Sequence, residues 1–249
     1  MSGWPDNYGR RILVSVDSTL SEAARIAPQL LGPEWILAYE QTAARGRRGR
    51  RWMMPKGNFA ATLVLPVSGP PSEAALRSFI SSLALRDAFV GATGLESAFV
   101  LKWPNDVLLR GGKVAGILLE SVGQSDGVTH LAIGIGVNLA GAPTVDEVEK
   151  GSVRPVSLSD ELGVEVYPED FLNLLASAFA RYEAQFQTYG FAPIRRAWMN
   201  HAARLGEVIT ARTAREEWQG IFREVDETGQ LVLETSQGRI AIPAADVYF

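Results

Sequence analysis

The chain has 249 residues, 47% of them hydrophobic and 21% charged, with 24 Lys and Arg against 28 Asp and Glu for a net charge of −4. That length allows one large domain, or one domain plus a small module, and the acidic balance argues against a surface that coats nucleic acid. The chain has no cysteine, which excludes disulfides, thiolate nucleophiles and cysteine-bound metals.

Met1-Ser2-Gly3-Trp4-Pro5-Asp6 does not read as a signal peptide, and no apolar run reaches membrane-spanning length, so a cytoplasmic protein is expected. Ile12-Leu13-Val14-Ser15-Val16 reads as a buried strand. Ser18 or Thr19 then caps a short helix, which Pro28 should break. Two more strands are expected at residues 35–40 and 59–65. Between them lies Arg45-Gly46-Arg47-Arg48-Gly49-Arg50-Arg51, with five arginines in seven residues. Like charges there repel and the glycines loosen the backbone, so the empty loop should be mobile and await an anion. Guanidinium favours forked bonds to phosphate or carboxylate.

Gly69-Pro70-Pro71 is a loop, and a helix from about Ser72 carries Leu76, Phe79, Ile80 and Leu83 at helical spacing. Phe99-Val100-Leu101 leads into Lys102-Trp103-Pro104-Asn105-Asp106. Two strands then meet across Arg110-Gly111-Gly112-Lys113, where the glycine pair suits a tight hairpin. The second strand, Val114 to Glu120, places Gly116 where a ligand can approach the backbone. Leu131 to Val137 is another strand, containing Gly134 and Gly136. Residues 138–159 read as loop, the stripe from Phe171 to Phe186 as an amphipathic core helix, and Ile194 to Ala203 as a last helix. From Glu207 short strands and tight turns predict a β-barrel module of about 45 residues.

Four elements carry candidate chemistry: Ser18-Thr19, Gln41 with the arginine loop, Lys102 to Lys113, and Gly134-Ile135-Gly136-Val137-Asn138. They supply cations, small polar donors, close-approach glycines and one stacking aromatic, Trp52, but no catalytic triad. Such a set suits a reaction that brings two anions together, as when a carboxylate attacks the α-phosphate of a nucleoside triphosphate. Read alone, Lys113 is an ordinary hairpin lysine, Gly134-x-Gly136 a bulge and Ser18-Thr19 a helix cap. His130 and His201 form no ligand pattern and read as structural.

Taken in order, Gln41 to Trp52, Lys102-Trp103-Pro104-Asn105-Asp106, Lys113-Val114-Ala115-Gly116-Ile117-Leu118-Leu119-Glu120 and Ile133 to Asn138 resemble the biotin protein ligases. The resemblance covers essentially the whole chain. It implies an α+β fold: a mixed β-sheet catalytic domain of the biotin/lipoate ligase, class II synthetase-like type with flanking helices (residues 1–205), plus a C-terminal SH3-like β-barrel (206–249). It also implies a two-step reaction. Biotin and MgATP give biotinyl-5′-AMP and pyrophosphate, and an acceptor lysine then takes the biotinyl group and releases AMP.

By the same resemblance Ser18, Thr19 and Gln41 hydrogen-bond the polar ring of biotin. Arg45, Gly46 and Arg47 close over the carboxylate and phosphate. Lys113 holds the carboxylate and the α-phosphate oxygens. Trp52 and Asn138 enclose the adenosine, and Gly116 lets biotin lie against the backbone. Asn105 and Asp106 orient the site or its magnesium, with Asp106 the metal candidate, and Arg48 and Arg51 keep the empty loop open. Leu20 stands where the family usually has Asn, and Ala44 where it usually has Gly.

The implied acceptor is a biotin carboxyl carrier domain of acetyl-CoA carboxylase, and a homodimer is compatible with the sequence. Only about a dozen residues precede the first strand, so no sequence-specific DNA binding is expected. The rival readings are a lipoate or octanoyl ligase, whose relatives generally lack this arginine loop, and a nucleic-acid module using that loop.

Overall fold

The computed structural model describes residues 3–122, 129–148, 151–213 and 215–249. Met1, Ser2 and residues 149–150 of the expected 138–159 loop lie outside them. The first seven strands are β1 (Gly9–Val16), β2 (Glu34–Gln41), β3 (Phe59–Pro66), β4 (Phe99–Lys102), β5 (Asp106–Leu109), β6 (Gly112–Val122) and β7 (His130–Val137). They form one sheet in the order β1-β2-β3-β7-β6-β5-β4. The β1–β2 pair is parallel and the other pairs are antiparallel, so the sheet is mixed as expected.

The period of two in a strand assigns each residue to one face. Trp35, Leu37, Ala61 and Leu63 face the main core, which is closed by α3 (Arg77–Thr93) and α5 (Pro168–Tyr189). Edge-on aromatic pairs fix that packing, with Trp35–Phe179 centroids 6.0 Å apart and Phe59–Phe171 5.2 Å apart. The alternate residues Ile36 and Val64 face α1 (Thr19–Ile26), meeting Leu20, Ala23 and Ile26. This lighter cover leaves room for a cavity over β6 and β7.

Several elements differ from their sequence reading. The first strand is not buried, because β1 is an outer strand bonded only to β2, and Val14 is 80% exposed. The helix expected from Ser72 is split into α2 (Pro71–Ala75) and α3. The hairpin turn is Arg110-Gly111, with φ of 49° and 84°, rather than the glycine pair. Gly112 is instead the first residue of β6, where a Cβ would lie 2.3 Å from Val156 Cγ1. Helix α4 (Leu158–Leu162) begins inside the expected loop, and α6 (Phe191–Met199) ends before Ala203.

The C-terminal residues form a separate antiparallel sheet of β8 (Val208–Arg212), β9 (Glu217–Val225), β10 (Leu231–Thr235), β11 (Gly238–Ile242) and β12 (Asp246–Tyr248), in the order β11-β10-β9-β8-β12. The sequence patterning missed β12. This module meets the rest of the chain through Trp103, just after β4, whose Nε1 donates to Gly229 O at 3.1 Å, and through the ion pair of Arg195 in α6 with Glu224 at 2.5 Å. Among the described residues no helix is long and apolar enough to cross a membrane.

Candidate active site

A cavity of about 580 Å³ opens on the α1 side of the sheet, over Gly116, Gly134 and Gly136. This is an ordinary size for a small-molecule site. One end is polar but uncharged. Ser18 is the extended residue before α1, and its burial with Thr19 (2% and 3% exposed) turns both side chains inward. Thr19 donates to Gln41 Oε1 from its backbone N at 2.8 Å and from Oγ1 at 3.1 Å. Thr62 Oγ1 donates to Thr19 Oγ1 at 2.8 Å. The sequence reading brought Ser18, Thr19 and Gln41 together correctly but missed Thr62, whose lone polar position in an apolar strand was the available signal.

Leu20 is 4% exposed and packs on Gly134, where a Cβ would lie 2.8 Å from the leucine. It gives one side of this polar end an apolar surface.

The other end is cationic. Lys113 Nζ lies 2.6 Å from Asp106 Oδ1, and Lys102 Nζ lies 3.6 Å from Asp106 Oδ2. Lys113 leaves the hairpin at β6 and is the more open of the two lysines, at 30% side-chain exposure against 10%. Burial alone would raise the Asp106 carboxyl, but the ammoniums of Lys113 and Lys102 outweigh it and hold it below its ordinary value. Burial pushes the Lys102 ammonium down, Asp106 opposes this and Lys113 adds to it. Lys102 was read only as part of a motif; the structure puts it on the cavity wall.

The Asp106 carboxylate faces two ammoniums, and a magnesium ion bound there would have to displace one of them. No cluster of three His, Cys, Asp or Glu among the described residues forms a metal site.

A pH dependence follows. A carboxyl whose folded pKa lies below its unfolded value of 3.8 stabilises the fold above that pH, and the contribution is lost as pH falls through the folded pKa. Asp106→Asn is therefore expected to cost about 3 kcal/mol near pH 7, because it strands a buried ammonium. The gap from wild type should narrow below pH 3.8. Chemical denaturation of both proteins across pH reads this directly, and a gap constant with pH contradicts the assignment.

The arginine loop closes one wall. It is folded as a tight turn: Gly46 N donates to Arg50 O at 2.7 Å, Trp52 N to Ala44 O at 3.1 Å, and Arg48 takes a left-handed φ of 58°. Ala44 is buried at 8% exposure and gives the turn a carbonyl rather than a side-chain function. Arg45 is held by a bidentate pair to Glu120 at 2.7 and 3.0 Å, with Ser21 Oγ 2.8 Å away. The Glu120 hydrogen bond raises its guanidinium pKa further.

Arg47 Nη1 donates to Asn105 Oδ1 at 3.3 Å, while Asn105 Nδ2 donates to Ile117 O at 2.6 Å. Asn105 thus ties the loop to β6. Arg48 was expected to keep the empty loop open, but it pairs with Asp246 at 2.7 Å. Neither Glu120 nor Asp246 was picked from sequence.

Trp52 lies across the glycines as a roof. An added Cβ would lie 2.5 Å from the indole at Gly136 and 3.3 Å at Gly116, and Lys113 Nζ sits 5.7 Å from the ring centroid. Asn138 lines the cavity, with its side chain bonded to Val156 O at 3.1 Å and contacted by Asn58 Nδ2 at 3.5 Å.

A small-molecule cavity with one neutral hydrogen-bonding end and one cationic end suits a small substrate with a polar, uncharged head and an anionic tail. The comparisons with known proteins make this specific. The Biotin/lipoate A/B protein ligase family matches residues 11–138, and the Biotin protein ligase C terminal domain matches residues 205–249. A biotin--[acetyl-CoA-carboxylase] ligase of Paracoccus denitrificans is 57% identical over 238 residues, covering 96% of this chain and 99% of the relative. The bifunctional ligase/repressor BirA of Bacillus subtilis is 30% identical over 213 residues, 85% of this chain and 65% of that protein.

The structure of the Aquifex aeolicus biotin protein ligase in complex with biotin and ATP has the same fold, with a TM-score of 0.82 at 23% identity, covering 96% of this chain and 97% of that one. The chain belongs to the biotin/lipoate A/B protein ligase family.

Proposed function

We propose that the protein is a biotin--[biotin carboxyl-carrier protein] ligase. It activates biotin with MgATP to biotinyl-5′-AMP and transfers the biotinyl group to a lysine of an acceptor domain, such as that of the biotin carboxyl carrier protein of acetyl-CoA carboxylase. The observation that carries this is the polarity of the cavity. Ser18, Thr19 and Gln41 line the cavity and suit an uncharged polar ring at one end, with Thr62 buried behind Thr19. Lys113, Lys102 and Arg47 suit two anions at the other. The Paracoccus denitrificans relative supports the choice of biotin.

The geometry fits the chemistry. Two unit charges 4 Å apart repel by about 4 kcal/mol at an effective dielectric of 20, so carboxylate and α-phosphate need cations between them. Lys113 is placed to supply one without acting as a base. A carboxylate oxygen attacks the α-phosphorus and pyrophosphate leaves. In the second step the acceptor amine attacks the biotinyl carbonyl, loses a proton and expels AMP. Magnesium travels with ATP as part of the substrate. Trp52 over Gly116 and Gly136 provides the wall on which the adenylate lies.

The division near residue 205, a cytoplasmic location, a homodimer and the absence of specific DNA binding complete this reading. The change from a seven-stranded to a five-stranded sheet after α6 supports the division.

The test is ATP-dependent transfer of labelled biotin to a biotin-acceptor domain, with lipoate as competitor. Transfer blocked by unlabelled biotin and not by lipoate is expected; no transfer to a competent acceptor refutes the reading. A second expectation concerns the floor of the cavity. Gly136→Ala pushes against Trp52, and should raise KM for ATP about tenfold, near 1.4 kcal/mol of binding. Removing the ring in the Gly136→Ala, Trp52→Ala double variant should make the alanine nearly silent. If the two losses simply add, the ring is not what the glycine accommodates.

A further inference from the structure

Strand β3 begins at Phe59, opposite Val137, the last residue of β7. The residues just beyond this pair are two asparagines, Asn58 and Asn138, both buried, at 1% and 2% exposure. Asn58 does not line the cavity, but its amide is fully occupied. Oδ1 accepts from Ala140 N at 2.9 Å and from Gly141 N at 3.1 Å. Nδ2 donates to Gly141 O at 2.7 Å and meets Asn138 Oδ1 at 3.5 Å. An asparagine amide offers two acceptor sites and two N–H groups, so all four are used. Gly57 before it takes a φ of 90°, and a Cβ there would lie 2.9 Å from Ala140 Cβ, so the chain ahead of β3 presses closely on the turn after β7.

Asn138 does line the cavity. Its Nδ2 donates to Val156 O at 3.1 Å, while its Oδ1 meets the Asn58 amide. Turning the Asn138 amide over would set its oxygen against the Val156 carbonyl and its NH2 against that of Asn58, so the two contacts together admit one orientation. We infer that Asn58 is a positioning residue for nucleotide binding: it pins the turn after β7 and fixes which end of the Asn138 amide meets the nucleotide. The inference rests on the proposed ligase function, in which Asn138 encloses the adenosine of ATP, but the clamp on the turn does not. Held in this way, Asn138 keeps one N–H and one lone pair for a ligand. Adenine carries the acceptor N7 beside the donor N6, and a fixed amide can answer both, whereas guanine carries two acceptors there.

The test combines hydrogen–deuterium exchange of the turn with kinetics of the full-length protein. In Asn58→Ala the Ala140 and Gly141 amides both lose their acceptor and should exchange about tenfold faster than in wild type. In pyrophosphate release with biotin present, KM for ATP should rise about tenfold with kcat within about twofold of wild type. The preference for ATP over GTP should fall about fivefold. Biotin binding by calorimetry should stay within about twofold, because Thr19 is tied to Gln41 and Thr62 rather than to this turn. In an Asn138→Ala background, Asn58→Ala should change KM for ATP by less than about twofold, since the group it orients is gone.

If Asn58→Ala does not fold, Asn58→Ser is read in its place, because a hydroxyl can keep one of the two accepted protons while the contact with Asn138 is lost. Faster exchange at the turn, together with a raised KM for ATP that vanishes in the Asn138→Ala background, supports the inference. A KM equal to wild type, or a rise of the same size with and without Asn138, overturns it, because Asn58 would then serve only the fold. Wild type that releases no pyrophosphate with biotin and ATP would sink the ligase reading, and the exchange result would still decide whether Asn58 clamps the turn.

Discussion

Lys113→Ala should lower the rate of pyrophosphate release by about 10³-fold at saturating biotin and ATP, a loss of about 4 kcal/mol typical of removing one preorganised group that stabilises developing charge. Lys113 is the cation best placed for this duty. It projects from the start of β6, with its Nζ 2.6 Å from Asp106 Oδ1 and 5.7 Å from the Trp52 ring centroid. Its position is set by backbone on both sides, since Lys113 N donates to Arg154 O at 2.8 Å and Val156 N donates to Lys113 O at 2.9 Å.

Lys102 also lines the cavity but is the more buried lysine, at 10% side-chain exposure against 30% for Lys113, so it replaces Lys113 poorly. Biotin binding alone, at the Thr19–Gln41 end, should change by less than about threefold. Pyrophosphate release and biotin binding by calorimetry measure the two separately. A lysine that merely closes a hairpin would leave the first near wild type.

Arg47→Ala should act on a different step. Arg47 bridges the loop to Asn105 at 3.3 Å and to Asp246 at 3.3 Å, and so holds the loop against both the sheet and the barrel. On the proposed reading the intermediate beneath this loop is a mixed anhydride, which water hydrolyses if the site stays open. The variant should still form adenylate but release it about 10²-fold faster, on the scale expected when closure of a site is lost. Labelled adenylate escaping into solution without acceptor, followed by filtration, is the readout. Retention as tight as wild type would show that the loop is not a lid. Arg45→Ala should leak less, because its guanidinium is committed to Glu120 by two bonds at 2.7 and 3.0 Å.

Much of this was legible in the sequence. The strands around the arginine loop and the Phe171–Phe186 core helix follow from period and spacing, as does a close approach at the strand glycines, although the group against Gly116 and Gly136 is Trp52 and the one against Gly134 is Leu20. Contiguous motifs brought Ser18, Thr19, Gln41, Lys113 and Gly116 to one cavity. What escaped was long-range. Asp246 is about 200 positions from the arginines it pairs with, in a short strand with little patterning of its own.

Glu120 ends a strand motif and looks like a solvent-facing residue until the sheet brings it to Arg45, 75 positions away. The exposure of β1 depends on its place in the sheet order, which hydropathy does not encode. Gly112 reads as a turn glycine because its packing partner, Val156, lies in a distant loop.

The central claim is that one cavity makes an acyl-adenylate and passes it to a lysine. The most direct measurement is a single turnover in two stages. The protein is mixed with labelled biotin and MgATP, freed of unbound nucleotide, and then given an acceptor domain without ATP. The account predicts that bound label is recovered as biotinyl-5′-AMP, up to one per active site, and that it moves to the acceptor lysine with release of AMP. Transfer that still requires added ATP after the first stage, or no bound adenylate at all, would contradict it.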